Sequence, residues 1–337
     1  MGGGASVSVQ SMTNTDTGNV TATFEQIRAL ASGGCDIVRM SVYDQRCVDA
    51  VRPLVDQSPV PLVADIHFDH KLAIGAMENG IHKLRINPGN IGGQDRVKAV
   101  VDCAKMHHVP IRIGVNSGSL EKDIMEKNGG VTADGMVESA LRHVRMLEAE
   151  GFYDIVLSLK ASDVKTMIEA YRLASRSCDY PLHLGVTEAG LPGTGTIKSA
   201  VGIGSLLLDG IGDTIRVSLT ADPAEEPRAA IDILRAIGIR EGVQFVSCPT
   251  CGRTRIDVSG IAQRIKQEFE NEKKPVKIAV MGCVVNGPGE AKGADVALCG
   301  GDHCGAIYIK GEFVRKVNEE CMTDEMIKTV REYLNDL

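Results

Sequence analysis

The chain has 337 residues, of which 43% are hydrophobic and 24% are charged, and its formal net charge is −7. That length suits one large domain plus a smaller one. The negative charge excludes a global basic field that would draw in nucleic acid or anionic membranes. No apolar run reaches the ~20 residues of a spanning helix, and no secretion signal is visible. We therefore expect a cytoplasmic protein without nucleic-acid or membrane partners.

Eight short apolar segments, rich in β-branched residues, recur in the first part of the chain. They predict strands at 7–12, 36–42, 61–68, 83–89, 110–116, 154–160, 181–188 and 213–220. Amphipathic helical patterns lie between them, among them 23–34, 96–108, 134–151 and 222–238. Eight β-then-α units predict a TIM (β/α)8 barrel over residues 1–240. An open doubly wound sheet is the alternative, but no G-x-G-x-x-G follows the first strand.

Residues 241–337 follow a linker at 238–244 and have a different pattern. Predicted strands at 243–247, 276–283 and 305–311 alternate with predicted helices at 259–272 and 323–337. These elements indicate a small α+β domain. Five cysteines lie within residues 248–304 of this domain. The absence of a secretion signal predicts that they are reduced.

Polar side chains stand late in the predicted barrel strands, where a buried parallel strand is normally apolar. They are Arg39, Asp65, His67, Arg85, Asn87, Arg112, Asn116, Lys160, Glu188, Arg216 and Ser218. One of them alone is explained by solvation or a salt bridge, but seven strands share the feature. Cations that converge at one barrel mouth of an acidic protein predict a multiply anionic ligand, and guanidinium groups favour phosphate.

Two of these residues are acidic and suit a different task. Asp65 and Glu188 fit hydrogen bonds to substrate hydroxyls, or proton transfer. His67 is compatible with a phosphate contact, with titration or with packing at the rim. The glycine-rich segment 87–93 adds backbone N–H groups after the fourth strand, which on its own is a weak phosphate signal.

The sequence "CPTC" at 248–251 and a third cysteine in "GCVVNGPGE" at 282–290 supply three thiolates. A C-x-x-C pair alone fits half a zinc site, a redox dithiol or two iron–sulfur ligands. Three thiolates plus a weaker ligand suit a [4Fe–4S] cluster with one exchangeable iron. The candidates for the fourth position are Glu290, Cys299, His303, Cys304 and water, and the residues alone do not decide between Glu290 and the later cysteines.

Nine segments together resemble the 4-hydroxy-3-methylbut-2-enyl-diphosphate synthase family, an iron–sulfur enzyme family of the methylerythritol phosphate route to isoprenoids. They are "SVQSMTNTDT" (8–17), "PLVADIHFD" (61–69), "LRINPGNIG" (84–92), "PIRIGVNSGSLEKD" (110–123), "SLKASD" (158–163), "PLHLGVTEAG" (181–190), "GIGDTIRVSLTADP" (210–223), "CPTCGR" (248–253) and "GCVVNGPGE" (282–290). The resemblance extends in order from residue 3 to about residue 310. The pairing of "CPTC" with "GCVVNGPGE" is its most specific part.

The resemblance implies a TIM barrel joined to a domain that binds a [4Fe–4S] cluster. The implied cluster ligands are Cys248, Cys251, Cys283 and Glu290. The implied substrate is 2-C-methyl-D-erythritol 2,4-cyclodiphosphate, whose diphosphate is held by Arg39, Arg85, Arg112, Lys160 and Ser218. Asp65, Asn116 and Glu188 are placed near its carbon skeleton and hydroxyls and form, with Glu290, the predicted catalytic set. His67 and Arg216 complete the predicted substrate-binding set.

The implied reaction is a two-electron reductive ring opening with loss of water, with electrons from flavodoxin or ferredoxin. The implied assembly is a head-to-tail homodimer in which the cluster domain of one subunit caps the barrel of the other. Two other functions fit the residues without the resemblance. One is a phosphate-ligand barrel lyase or transferase with a structural zinc tail, and the other is a non-enzymatic iron–sulfur carrier.

Overall fold

The computed structural model describes residues 2–270, 272–285 and 287–337, which form two compact units. The first unit ends at Leu234 and the second begins at Arg235. The first is a barrel of parallel strands and the second contains a separate sheet, so the predicted fold class is confirmed. Asn286, in the predicted cluster motif, lies outside the described residues.

An eight-stranded parallel sheet forms the centre of the first unit. Its strands are β1 (Ser8–Met12), β2 (Ile37–Ser41), β3 (Leu62–Asp65), β4 (Lys83–Ile86), β5 (Ile111–Asn116), β6 (Ile155–Lys160), β7 (His183–Leu184) and β8 (Thr214–Ile215). They are hydrogen-bonded in the order β6-β5-β4-β3-β2-β1-β8-β7. A parallel bridge between Leu157 and Leu182 joins the two ends of that order. The sheet is therefore a nearly closed barrel, and every strand lies inside a predicted segment.

Helices surround this barrel. They are α1 (Val20–Ser32), α2 (Gln45–Gln57), α3 (His70–Glu78), α4 (Pro88–Ile91), α5 (Gln94–His107), α6 (Lys122–Asn128), α7 (Ala133–Ala149), α8 (Val164–Ser177), α9 (Thr194–Leu208) and α10 (Glu225–Ala236). Polar N-caps fix several starts, because side chains of Asn19, Asp44 and Asp163 accept hydrogen bonds from first-turn N–H groups. In the part of the chain that the structure describes, no helix is long and apolar enough to cross a membrane.

The apolar core of the barrel lies between the sheet and the helices. Val38 and Met40 of β2 are fully buried, and they alternate with Arg39 because successive strand residues point to opposite faces. The same alternation on β5 places the fully buried Ile111 and Ile113 on either side of Arg112. The inner face of the sheet therefore holds polar side chains, while the outer face supplies the hydrophobic contacts.

A five-stranded mixed sheet forms the second unit. Its strands are β9 (Val243–Ser247), β10 (Val276–Met281), β11 (Val296–Gly301), β12 (Cys304–Ile309) and β13 (Glu312–Asn318), in the order β13-β12-β11-β10-β9. Its helices are α11 (Val258–Glu268), α12 (Gly287–Ala291) and α13 (Met322–Asn335). The β9–β10–β11 part is parallel and the rest antiparallel. Ile265, Ile278, Leu298 and Met326 lie in the core of this unit.

Tyr171 of α8 reinforces the barrel where its ladder is weakest, between β6 and β7. Its fully buried hydroxyl accepts a hydrogen bond from Leu159 N at 3.0 Å and donates one to His183 O at 2.5 Å. One side chain thus connects a helix to two strands that share a single bridge. Both backbone groups depend on this hydroxyl in a buried position.

We expect Tyr171→Phe to lower the free energy of unfolding by about 1–3 kcal/mol, because it leaves buried backbone groups without partners. Urea denaturation followed by circular dichroism measures the change. Tyr153→Phe, at a residue that is 64% exposed, is the matched control and should unfold like the unmodified protein. Equal urea midpoints for both variants would show that Tyr171 does not stabilise the junction between β6 and β7.

Candidate active site and metal centre

Asp65, at the end of β3, is the centre of a charged cluster inside the barrel. Its carboxylate accepts hydrogen bonds from Arg39 Nη2 at 2.8 Å and from Arg85 Nη1 at 3.1 Å, and lies 3.1 Å from His67 Nε2. Burial would raise the pKa of Asp65, but the charges of Arg39 and Arg85 and the hydrogen bond with His67 hold it well below its ordinary value. Asp65 is therefore a permanent carboxylate that orients three neighbours.

The strand register places several predicted site residues opposite one another. Asp65 of β3 is opposite Arg85 of β4, and Arg85 is opposite Arg112 of β5. Further along β5, Asn116 is opposite Lys160 of β6. The expectation that Arg112 stands late in its strand is wrong, because it is the second residue of β5 and only 1% exposed. The stagger between tilted barrel strands sets this depth, and a single strand's sequence does not reveal it.

Two buried lysines lie among these cations, and their pKa values are lowered. Burial and the charges of Arg216 and Arg112 lower the pKa of Lys160 well below its ordinary value. Burial and Arg112 lower the pKa of Lys83 from 10.5 to about 7. Lys83 was missed by the sequence analysis because it is the first residue of β4, where a lysine is normally taken as solvated.

Two glycines make room for the cations. A Cβ on Gly114 would lie 2.4 Å from Arg85 Nε, and a Cβ on Gly185 would lie 2.8 Å from Lys160 Nζ. Gly114 also accepts a hydrogen bond through its carbonyl from Arg85 Nη2 at 3.2 Å. The positions of Arg85 and Lys160 therefore require that Gly114 and Gly185 have no side chain.

Arg216 has a carboxylate of its own. Its Nε and Nη2 donate to Glu226 at 3.3 Å each, and Glu226 also accepts hydrogen bonds from Ser11 Oγ at 2.8 Å and Leu219 N at 3.2 Å. Glu226 is buried in the first turn of α10. The sequence analysis did not single it out, since an acid there is typical of any solvated helix start.

The other predicted site residues lie at or after the carboxyl ends of their strands: Asn116 ends β5, while Asn87, Glu188 and Ser218 lie in the segments that follow β4, β7 and β8. Asn116 and Ser218 are partly buried, and Glu188 is exposed. Glu188 has a φ of 53°, a left-handed conformation that is rare for residues other than glycine and marks functional sites. Asn87 accepts a hydrogen bond from Gly89 N, so that N–H is already engaged. Among the described residues, Glu188 and Ser218 make no hydrogen bond to the Asp65 cluster.

In the second unit, the predicted thiol ligands leave the carboxyl ends of adjacent parallel strands. Cys248 follows β9 and Cys283 follows β10, and Gly282 N donates a hydrogen bond to Cys248 Sγ at 3.1 Å. Cys251 is exposed, and hydrogen bonds from Arg253 lower the pKa of its thiol. N–H donors directed at sulfur and a lowered thiol pKa both favour thiolates, the form in which cysteine binds metal.

The fourth-ligand candidates differ in their surroundings. Glu290 is exposed on the short helix α12. Burial and the nearby Cys283 and Cys248 raise the pKa of Cys299 to about 11, so this thiol stays protonated. Cys304 begins β12 and is partly exposed. No three His, Cys, Asp or Glu side chains of the described residues converge on one point as a single ion requires.

The donor set of the second unit fits a [4Fe–4S] cluster in its chemistry. Its three predicted cysteine ligands are not joined in disulfides, and such clusters are held by several thiolates around a core of four irons rather than around one ion. A Cβ on Gly282 would lie 2.8 Å from Thr254 and Val258 side-chain carbons. The backbone beside Cys283 is thus held close to the loop that follows Cys251.

The fold and these residues define a class, a TIM-barrel protein with a cationic barrel interior and a second unit that carries the three predicted cysteine ligands. Residues 1–231 match the GcpE TIM-barrel domain and residues 244–332 match the GcpE protein C-terminal domain. The chain therefore belongs to the GcpE family. This finding confirms the resemblance that the sequence motifs predicted.

Named relatives match nearly the whole chain. The 4-hydroxy-3-methylbut-2-en-1-yl diphosphate synthase (flavodoxin) of Clostridium perfringens is 56% identical over 331 residues, 98% of this chain and 95% of that protein. The enzyme of the same name from Caldanaerobacter subterraneus is 55% identical over 337 residues, 100% of this chain and 95% of that protein. Dihydropteroate synthase of Yersinia pestis has 13% identity and a TM-score of 0.48 over 69% of this chain and 94% of that chain, which is too low to argue from.

The lowered pKa of the buried Lys83 amine predicts how the free energy of unfolding depends on pH. Because its pKa is about 7 in the folded protein against an ordinary 10.5, the unfolded chain binds more protons between these values and stability rises with pH there. From pH 6.5 to 9.5, the unmodified protein should gain about 2–3 kcal/mol of unfolding free energy relative to Lys83→Met. Denaturant titrations at both pH values measure this gain.

Lys165→Met, at an exposed lysine of α8, is the control and should show the same pH dependence as the unmodified protein. If Lys83→Met also follows that dependence, Lys83 is not a buried amine with a lowered pKa.

Proposed function

We propose that this protein catalyses the reductive ring opening of 2-C-methyl-D-erythritol 2,4-cyclodiphosphate to (E)-4-hydroxy-3-methylbut-2-enyl diphosphate in isoprenoid biosynthesis. It is an oxidoreductase of the GcpE family. The identity of 56% to a relative with this printed activity, over 98% of the chain, carries the proposal. The cationic interior of the barrel supports it, because a cyclic diphosphate supplies the negative charge that this interior lacks.

The diphosphate is bound by Arg39, Arg85, Arg112, Lys160 and Ser218, with His67 and Arg216 at the edge of the site. This assignment is supported by the sheet, in which Arg85, Arg112 and Lys160 lie on the neighbouring strands β4, β5 and β6. Guanidinium groups donate paired hydrogen bonds that match phosphate oxygens. Arg39 and Arg85 are already oriented by Asp65, so binding does not have to order them.

Asp65, Asn116 and Glu188 face the carbon skeleton and its hydroxyls. The reaction takes up two electrons, opens the ring at a C–O bond to phosphate and releases one hydroxyl as water, so a proton must reach the leaving oxygen. Asp65 is held ionised by its cationic partners and therefore serves as an acceptor of hydrogen bonds. Glu188 is exposed, and its proposed role is a hydrogen bond to a substrate hydroxyl or transfer of that proton.

The second unit binds a [4Fe–4S] cluster through Cys248, Cys251, Cys283 and Glu290. When bound, the cluster supplies electrons one at a time and a metal site for a substrate oxygen. The positions of Cys248 and Cys283 after the adjacent strands β9 and β10 and the hydrogen bond from Gly282 N to Cys248 Sγ support this ligand set. Cys299 and Cys304 have no role as ligands.

The electron donor is flavodoxin or ferredoxin, and flavodoxin is the donor printed in the relatives' names. We further propose a cytoplasmic location and a head-to-tail homodimer in which each cluster domain caps the barrel of the partner.

Turnover tests the proposal directly. Anaerobic protein with a reconstituted cluster and reduced flavodoxin should convert the cyclic diphosphate, with a product that mass spectrometry identifies. Arg112→Lys keeps the charge but loses the paired donors, so substrate binding should weaken by roughly 1.5–3 kcal/mol and the KM should rise accordingly. The cluster absorbance should not change.

Arg52→Lys, at an exposed arginine of α2, is the control and should keep the KM of the unmodified protein. No turnover by a protein with full iron and sulfide content would refute the proposed reaction. An unchanged KM in Arg112→Lys would refute the phosphate role of that residue alone.

Iron and sulfide content separates the cluster ligands from the other cysteines. Cys283→Ser should lose most bound iron and the visible absorbance, because a ligand is gone. Cys299→Ser with Cys304→Ser, made together, should retain both. A colourless double variant, or a fully loaded and active Glu290→Ala, would overturn the assignment of Glu290 as the fourth ligand.

A further inference from the structure

Arg112 differs from the other arginines of the barrel in the charge of its partner. Arg39 and Arg85 share the carboxylate of Asp65, and Arg216 is paired with Glu226. Arg112 instead donates from Nη1 to the amide oxygen of Gln10, at 2.8 Å. Its charge is therefore oriented by a neutral group rather than balanced by a carboxylate.

The bond between Gln10 and Arg112 crosses the interior of the barrel. Gln10 is the central residue of β1 and Arg112 lies on β5, and the sheet order separates these strands by three others. Both residues are 1% exposed. Gln10 is held by its place in the parallel ladder opposite Ile37. The guanidinium is thus fixed away from its own strand, towards the middle of the barrel.

Donors at this contact still lack acceptors. Among the described residues, Gln10 Nε2 and Arg112 Nε are buried and have no hydrogen-bond partner. Buried donors in folded proteins nearly always find an acceptor. A partner rich in acceptor oxygens and negative charge would satisfy them, and a diphosphate has both properties.

We propose that Gln10 is a positioning residue for the diphosphate site, one that fixes the Arg112 guanidinium across the barrel while leaving its positive charge for the ligand. The inference rests on the proposed function for the identity of the ligand. A glutamate at this position would neutralise Arg112 in a buried ion pair. An apolar residue would leave Nη1 without an acceptor and the guanidinium without a tether. Only a neutral acceptor does both tasks.

Two variants of the full-length protein separate orientation from charge. Gln10→Glu keeps an acceptor but adds a counter-charge, and Gln10→Met keeps the volume but removes the acceptor. Gln57→Glu, at an exposed glutamine in the last turn of α2, controls for the change in net charge. Calorimetric binding of inorganic pyrophosphate reports on the anion site without turnover, and steady-state kinetics with the cyclic diphosphate report on KM and kcat.

We expect Gln10→Glu to raise the pyrophosphate Kd and the substrate KM at least tenfold without lowering the melting temperature. We expect Gln10→Met to keep the Kd within about threefold but to lower kcat at least tenfold, because a misplaced guanidinium no longer holds the ligand in the reactive position. Gln57→Glu should behave like the unmodified protein in both measurements.

Three results would overturn the inference. They are a Kd for Gln10→Glu within twofold of the control, equal losses of affinity and melting temperature in both Gln10 variants, and no pyrophosphate binding by the unmodified protein. If only Gln10→Met folds, an unchanged kcat in that variant overturns it. A protein that binds pyrophosphate but does not convert the cyclic diphosphate would refute the proposed function, and the Kd comparison would still decide the role of Gln10.

Discussion

A surplus of positive charge, which few carboxylates balance, lies inside the barrel and constrains the rest of its structure. Burying a charged group without a partner is costly, and Asp65 serves two arginines at once. The pKa values of Lys83, Arg112 and Lys160 are lowered, chiefly by burial and then by the charges of neighbouring cations. Because arginine keeps its proton in proteins, an anionic ligand such as the proposed cyclic diphosphate would relieve this cost.

Several features of the fold serve this arrangement. The apolar core lies between sheet and helices, so the inner face of the barrel is available for polar side chains. Gly114 and Gly185 leave space for Arg85 and Lys160 on the neighbouring strands. Where β6 and β7 share only one bridge, the buried hydroxyl of Tyr171 connects them. The cationic interior thus rests on a scaffold stabilised from its outer face.

The sequence predicted the barrel and most of the cationic residues, because most of the predicted strand segments are short apolar runs that contain a conspicuous charge. It missed Gln10, Lys83 and Glu226, since a strand-centre amide, a strand-start lysine and a first-turn glutamate each have an ordinary surface explanation. It placed Arg112 too near the strand end, because barrel stagger is a property of the whole sheet. The strands β11 and β13 were also missed. β11 ends in glycines, and β13 is a largely exposed edge strand without an apolar run.

Proton exchange on ligand binding tests the charge surplus most directly. At pH 8 the Lys83 amine, with a pKa of about 7, is mostly neutral, and a bound dianion favours its charged form. The cyclic diphosphate has no titratable proton near neutral pH, so any exchange belongs to the protein. Calorimetric titrations in buffers of different ionisation enthalpy should therefore show net proton uptake at pH 8 and less uptake at pH 6. Binding at pH 8 with no proton uptake, or with proton release, would contradict the account.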